Sequence, residues 1–235
     1  MKLKAKGRKP APVSTPASQL EAFNYFPASV YTIKKPEFLE SARAVCSEAV
    51  EDVKAKGQVL NEIYPVHMTG QLFDDPRMEP LCQFIGESTW NILNSQGYNM
   101  SLFNVYFQEM WCQEHFKHSA MDQHVHGYGC QMVGFYFVEV PENSSRVVLH
   151  DPKAGKVQAN LPESDWSMAT PASNMINFNP EAGMLMFMNS WLPHSFTRHA
   201  TETPMSVIHF NLSVRDVPQP QSAPAPSCMP AVEII

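Results

Sequence analysis

The sequence predicts an α+β chain: an antiparallel β-sandwich or barrel with N-terminal helices packed on one face. Three observations carry this. Two stretches of helical periodicity come early. From Ser101 onward the chain changes to short runs rich in β-branched and aromatic residues, LFNVYFQEMW, QMVGFYFVEV, SRVVLHD, GMLMFM and MSVIHFNLSV, separated by Pro, Asn, Ser and Gly. No helix of useful length lies between those runs, so a parallel sheet would lack its crossovers.

Residues 1–20 are Lys, Pro, Ser and Ala with little to bury, and are expected to be disordered. Lys35-Pro36-Glu37 opens the first helix, which runs to Lys56. Leu39, Ala42, Cys46, Val50 and Val53 recur at three- and four-residue steps, and Gly57 stops it. The second helix runs from Met78 to Asn94 on an apolar stripe of Leu81, Phe84, Ile85, Ile92 and Leu93, and ends at Gln96-Gly97-Tyr98. Cys46 and Cys82 fall on apolar faces, as small buried hydrophobes. Among the strand runs, Met184, Met186 and Met188 read as core filler. The stretch 154–180 reads as one long loop, a lid or rim carrying Trp166. The segment 217–235 is Pro-rich and reads as a flexible tail, which leaves one domain over 21–216.

A chain of 235 residues can bury a real core. Its formal charge of -6 argues against nucleic-acid binding, which takes a basic face. No apolar run approaches the roughly 18 residues of a membrane span. The basic start is not followed by a hydrophobic stretch, so it does not read as a secretory signal. Five cysteines, an odd number without a CxxC pair, argue against a disulfide framework or a zinc ribbon and point to a reducing compartment. The expected location is the cytoplasm, or the host cytoplasm if the chain is viral.

Nine histidines stand out, and two form His124-Val125-His126. On a strand, side chains two apart share a face, with Cα atoms about 6.5–7 Å apart. Two imidazoles so placed can converge on one ion at about 2.0–2.1 Å. A third, His194, follows a hydrophobic strand and a tight Pro-bearing corner, GMLMFMNSWLPH. In a jelly roll the second and penultimate strands lie side by side in opposite directions, so His124, His126 and His194 are expected to meet at the barrel mouth.

Three motifs, QHVHGYGCQMVGFYFVEVPENSSRVVLHDPK, GMLMFMNSWLPHSF and SVIHFNLSV, together resemble the 2-oxoglutarate, iron(II)-dependent oxygenase superfamily. The resemblance is strongest to a branch frequent in phage and marine bacterial genomes. It covers roughly residues 100–213 and rests on the HxH, Gly134-Phe-Tyr136, Asp151-Pro152 and Ser190-Trp-Leu-Pro-His194 in order. It implies a double-stranded β-helix fold. It also implies Fe(II), with 2-oxoglutarate and O2 as co-substrates: 2-oxoglutarate is oxidised to succinate and CO2 while the substrate is hydroxylated. His124, His126 and His194 then act as metal ligands and catalytic residues.

This chain departs from the superfamily at two places. His126 stands where most members carry a carboxylate, which makes the site more positive by one charge. The slot of the basic residue that usually clamps 2-oxoglutarate holds Met205. Arg198, His209 and Lys153 are the candidates to replace that clamp, and Tyr136 could hold a carboxylate through its hydroxyl. Asn104 and Tyr106 are expected to line the pocket, Gln131 to hydrogen-bond a ligand or face water, and His115 and His118 to be exposed. Two rival readings follow from the departures. One is a three-His, cupin-like metalloenzyme that does not use 2-oxoglutarate. The other is a non-enzymatic jelly-roll structural or virion protein with a vestigial metal site. The primary substrate is left open among peptide side chains, nucleobases, lipids and small metabolites.

Overall fold

Both expected helices form where their apolar stripes call for them. The computed structural model describes residues 21–218 except 22, 24, 159 and 160, so the calls on 1–20 and on most of the tail lie outside the described residues. In chain order the elements are β1 (Val30–Lys34), α1 (Leu39–Ala55), β2 (Val66–Met68), α2 (Glu79–Ser95) and β3 (Phe103–His115). Then come β4 (Met121–His124), β5 (Met132–Glu139), β6 (Val147–His150), β7 (Met175–Phe178), β8 (Met184–Asn189), β9 (His194–Phe196) and β10 (Met205–Asp216). Helix α1 buries Ala42, Val45, Cys46 and Val50, and stops at Gly57, whose φ of 86° an L-residue rarely adopts. Helix α2 buries Leu81, Ile85, Thr89 and Leu93.

The strands pair antiparallel in two sheets. The larger has the order β1-β8-β5-β10-β3-β2 and the smaller β4-β9-β6-β7. Period-two alternation sorts the central strands into two cores. On β5, Tyr136 and Val138 pack with the helices while Val133, Phe135 and Phe137 pack between the sheets. On β8, Leu185 and Phe187 face the helices, and Met184, Met186 and Met188 fill the space between the sheets, as expected. The large sheet is therefore covered on both faces, which is why its central strands read as continuous apolar runs rather than alternating ones. This is the jelly-roll sandwich with helices on one side.

Three short strands escaped the sequence reading: β1, β2 and β7. Segments such as VHM and MINF are too short to signal a strand, and only pairing with a neighbour defines them. The strand expected at the HxH ends at His124, so His126 lies past it. The stretch 154–180 is not one loop: β7 lies within it and pairs with β6, His150 opposite Met175.

Gly134 lies at a close backbone approach. A Cβ there would sit 2.2 Å from the Met186 carbonyl oxygen and 2.3 Å from the Phe210 ring. The carbonyl belongs to the paired strand β8 and cannot retreat without breaking the ladder. Gly134→Ala is expected to lower stability by about 2–3 kcal/mol or more, read as a shift in the denaturant midpoint.

Candidate metal centre

The smaller sheet sets the site. Across it, His124 on β4 is the cross-strand partner of His194 on β9, and Leu149 on β6 is the partner of His194 on its other side. His126 lies just beyond the end of β4, held by its N–H donating to the Ser190 carbonyl (2.9 Å). The ring centroids are 4.5 Å apart for His124 and His194, 5.1 Å for His124 and His126, and 5.2 Å for His126 and His194. One ring nitrogen from each lies within 4.8 Å of the other two.

The tautomers suit a cation. His124 Nδ1–H donates to the Asp122 carbonyl (2.8 Å) and His194 Nδ1–H to the Leu192 carbonyl (2.9 Å). Each bond fixes the proton on Nδ1 and leaves Nε2 with a free lone pair. The Nε2 atoms of His126 and His194 are buried and have no hydrogen-bond partner. Leaving a buried polar atom unpartnered costs about 1–3 kcal/mol, so a fold that leaves two side by side is built to receive something. Burial, and secondarily the neighbouring His124, push the His126 imidazole down to about 4. Burial pushes His194 down to about 3, against the pull of its Leu192 hydrogen bond. Both rings are thus neutral at physiological pH, the form that ligates a metal. Three imidazoles suit Fe(II), Zn, Ni or Cu.

Residues 109–211 match a family model described as "Putative 2OG-Fe(II) oxygenase". Over those residues the chain is similar to the 2-oxoglutarate, iron(II)-dependent oxygenases. Solved structures agree on the fold. A prolyl-4-hydroxylase of Pseudomonas putida is 10% identical with a TM-score of 0.55, covering 79% of this chain and 93% of its own. The viral collagen prolyl hydroxylase of Paramecium Bursaria Chlorella virus-1, in complex with 2OG, is 11% identical with a TM-score of 0.51, covering 79% and 96%. The non-heme α-ketoglutarate-dependent carbocyclase of nogalamycin biosynthesis is 11% identical with a TM-score of 0.58, covering 79% of each chain. No curated protein matches the sequence. The superfamily uses Fe(II), 2-oxoglutarate and O2, and the donor set found here fits such an ion.

The candidates for holding the oxygenase's co-substrate separate sharply. His209 is buried between the sheets, its ring stacked on Trp111 (5.2 Å between centroids) with the edge of Phe135 against it (4.9 Å). Burial drives its imidazole well below the usual range, and its Nε2 has no partner. The other three are corrections. Tyr136 points to the opposite face of β5, into the core under the helices, where its hydroxyl donates to the Lys35 carbonyl (2.8 Å). Its strand was read correctly, but the alternation sends its side chain away from the metal. Arg198 is exposed, its guanidinium donating to the His118 carbonyl (3.1 Å). Beyond the end of β9 it no longer follows the inward parity of His194 and Phe196. Lys153 is exposed on the turn after β6, at the rim of a surface groove rather than between the sheets.

Among the remaining residues, Gln131 and His118 are exposed, but Asn104 faces water rather than a pocket and His115 is fully buried, both contrary to expectation. His115 belongs to a polar lane on the inner face of β3 and β10 that the sequence reading missed. Trp111 Nε1, Gln113 Oε1, His115 Nε2, His209 Nε2 and Asn211 Oδ1 are all buried there without partners. Asn211 Nδ2 donates to Glu109 (2.6 Å), its cross-strand partner, which brings a carboxylate close to His126. The signal was present in FQEMWCQEH, where apolar Met110 and Cys112 alternate with Glu109, Trp111, Gln113 and His115. Taken alone, that pattern reads as a strand whose polar face meets solvent.

His124→Ala and His194→Ala are each expected to abolish stoichiometric binding of a divalent metal, measured by equilibrium dialysis and metal analysis, while His115→Ala retains it. Arg198→Ala is expected to leave the 2-oxoglutarate requirement unchanged, since its guanidinium is engaged at the surface. The buried imidazoles also set an acid limit. Unfolded, they titrate near 6.5, whereas burial holds His115 and His126 at about 4 and His194 at about 3. Below about pH 6.5 the unfolded chain takes up protons that the folded chain refuses. Stability of the metal-free protein is expected to be full above that pH and to fall toward pH 4. A urea midpoint unchanged between pH 7 and pH 5 would contradict this.

Proposed function

We propose that the protein is an Fe(II)- and 2-oxoglutarate-dependent oxygenase that hydroxylates its substrate, with His124, His126 and His194 as the metal ligands and His209 facing the co-substrate. The observation that carries this reading is the convergence of three imidazole nitrogens within 4.8 Å, two of them buried and unpartnered. When bound, Fe(II) supplies the oxidation of 2-oxoglutarate by O2 that the superfamily uses. The chain's own groups do the positioning. The Asp122 and Leu192 carbonyls orient two of the ligands. Phe135 lies edge-on to His194 at 5.6 Å and to His209 at 4.9 Å, lining the inner wall and helping to exclude water. The unpartnered polar groups of β3 and β10 continue inward from the ligands and offer the co-substrate its hydrogen bonds.

A groove of about 500 Å³ supports a place for the primary substrate. Leu149, Leu192 and Ile176 form part of its floor, with His150 and Lys153 at its rim. Leu149 is one strand from His194, a step of about 5 Å, so the groove opens beside the ligand row.

A second reading has its own support. Among the described residues no Lys or Arg is buried, so no fixed cation awaits a distal carboxylate. This favours a three-His metalloenzyme that does not take 2-oxoglutarate. Anaerobic addition of Fe(II) and then 2-oxoglutarate separates the two. The oxygenase is expected to develop the weak visible charge-transfer band of the iron chelate. Stoichiometric iron without that band at high 2-oxoglutarate would favour the second reading, and absence of metal binding would remove both.

A further inference from the structure

Deep between the sheets, beyond His209, three hydrogen-bonding ring nitrogens are left without partners: Trp111 Nε1, His209 Nε2 and His115 Nε2. They lie close together. Trp111 and His209 are cross-strand partners with stacked rings, and the His115 and His209 centroids are 6.5 Å apart. His115 and His209 are 0% and 3% exposed. Trp Nε1–H can only donate, and an imidazole can donate from Nε2, so the group they await is an acceptor. The position opposite His115 on β10 is Met205, which is buried and apolar.

We infer that this trio is a carboxylate clamp, in which Trp111 and His209 donate as neutral groups while His115 takes up a proton from solvent as the carboxylate arrives. The inference rests on the co-substrate reading above and says how a site without a fixed cation would hold the distal carboxylate of 2-oxoglutarate. A carboxylate placed against a buried imidazole favours its charged form, because the low local dielectric strengthens the attraction. The result is an imidazolium–carboxylate pair made at binding, with one proton taken from the buffer.

The surroundings of His115 single it out as the group that charges. Its ring is stacked on Phe196 (5.7 Å), its Nδ1 is 3.3 Å from the Ser119 hydroxyl, and its cross-strand neighbours are Met205 and Val66. The adjacent Glu114 turns to the other face and pairs with Lys54 (3.1 Å), and Lys117 pairs with Glu202 at the surface. The titratable groups on its own side are His199 and His209, with the three ligand histidines farther along the lane beside His209. His199 is committed: its Nδ1 accepts from the Ser145 N–H (3.3 Å) and its Nε2–H donates to the Thr203 carbonyl (2.9 Å). His209 lies nearer the metal, whose charge opposes its protonation. Without a ligand, burial holds His115 neutral, at about 4.

The test is calorimetric titration of 2-oxoglutarate into anaerobic, Fe(II)-loaded protein, from pH 6 to 8, in buffers of low and high ionisation enthalpy. Proton uptake approaching one per site is expected, with the apparent Kd weakening up to about tenfold per pH unit. His115→Gln should abolish the uptake and flatten the pH dependence while keeping stoichiometric iron. Met205→Arg, which places a fixed guanidinium opposite His115, should do the same while keeping tight binding at pH 8. If His115→Gln does not fold, Met205→Arg carries the test alone. Binding of 2-oxoglutarate without proton uptake, or uptake unchanged in either variant, would overturn the clamp and leave the co-substrate reading standing. No binding at any pH on iron-loaded protein would overturn the co-substrate reading itself.

Discussion

The pairing of β9 with both β4 and β6 is the constraint on which the site depends. It sets His194 opposite His124 in one direction and opposite Leu149 in the other. A slip of one residue would turn His194 to the outer face of the small sheet, because side chains alternate across a strand. The register is held from several sides. The Leu192 N–H closes the corner onto the Asn189 carbonyl (3.0 Å). Phe196, two residues on, packs its ring against Phe135 (5.1 Å between centroids) and His115. The apolar core between the sheets thus fixes the histidine cluster, and a strand of only three residues is enough to carry one of its members.

The same core explains the electrostatics. A jelly roll gathers its ligands at the mouth of an otherwise apolar interior, and that interior removes water from every polar group it admits. Imidazoles placed there are driven to the neutral state, which a metal requires. The cost is a set of buried polar atoms with no partner within the chain. Seven of the nine such side-chain atoms among the described residues belong to the metal cluster or to the inner face of β3 and β10. In a stable fold such a concentration marks a place prepared for a ligand.

The charge balance sets this site apart from the superfamily pattern it resembles. His126 replaces a carboxylate, and Met205 occupies the slot of the usual cation. The two departures compensate in part. With a cation bound, a neutral imidazole in place of a carboxylate would raise the charge at the site and favour an anionic co-substrate, while an apolar Met205 would weaken the hold on its far end. Glu109, hydrogen-bonded to Asn211 near His126, returns some negative charge to the vicinity of the ligands without joining the cluster.

Much of this was legible in the residues. The two helices, five of the strands, the jelly-roll class and the three histidines follow from local periodicity, from HxH spacing and from the order of the motifs. Three short strands, β1, β2 and β7, were not legible, because so few residues carry little pattern and are defined by their neighbours. Nor was the direction of individual side chains near the site. Tyr136 and His209 both lie on strands that were read correctly, yet one faces the helices and the other the lane. His115 looked solvent-facing because polar residues alternating with apolar ones ordinarily are. The sequence by itself determined which segments become helix or strand and which residue types could bind a metal. Which of those residues share the space between the two sheets was decided only by the tertiary structure, because a sheet buried on both faces gives its strands no polar side to mark the outward direction.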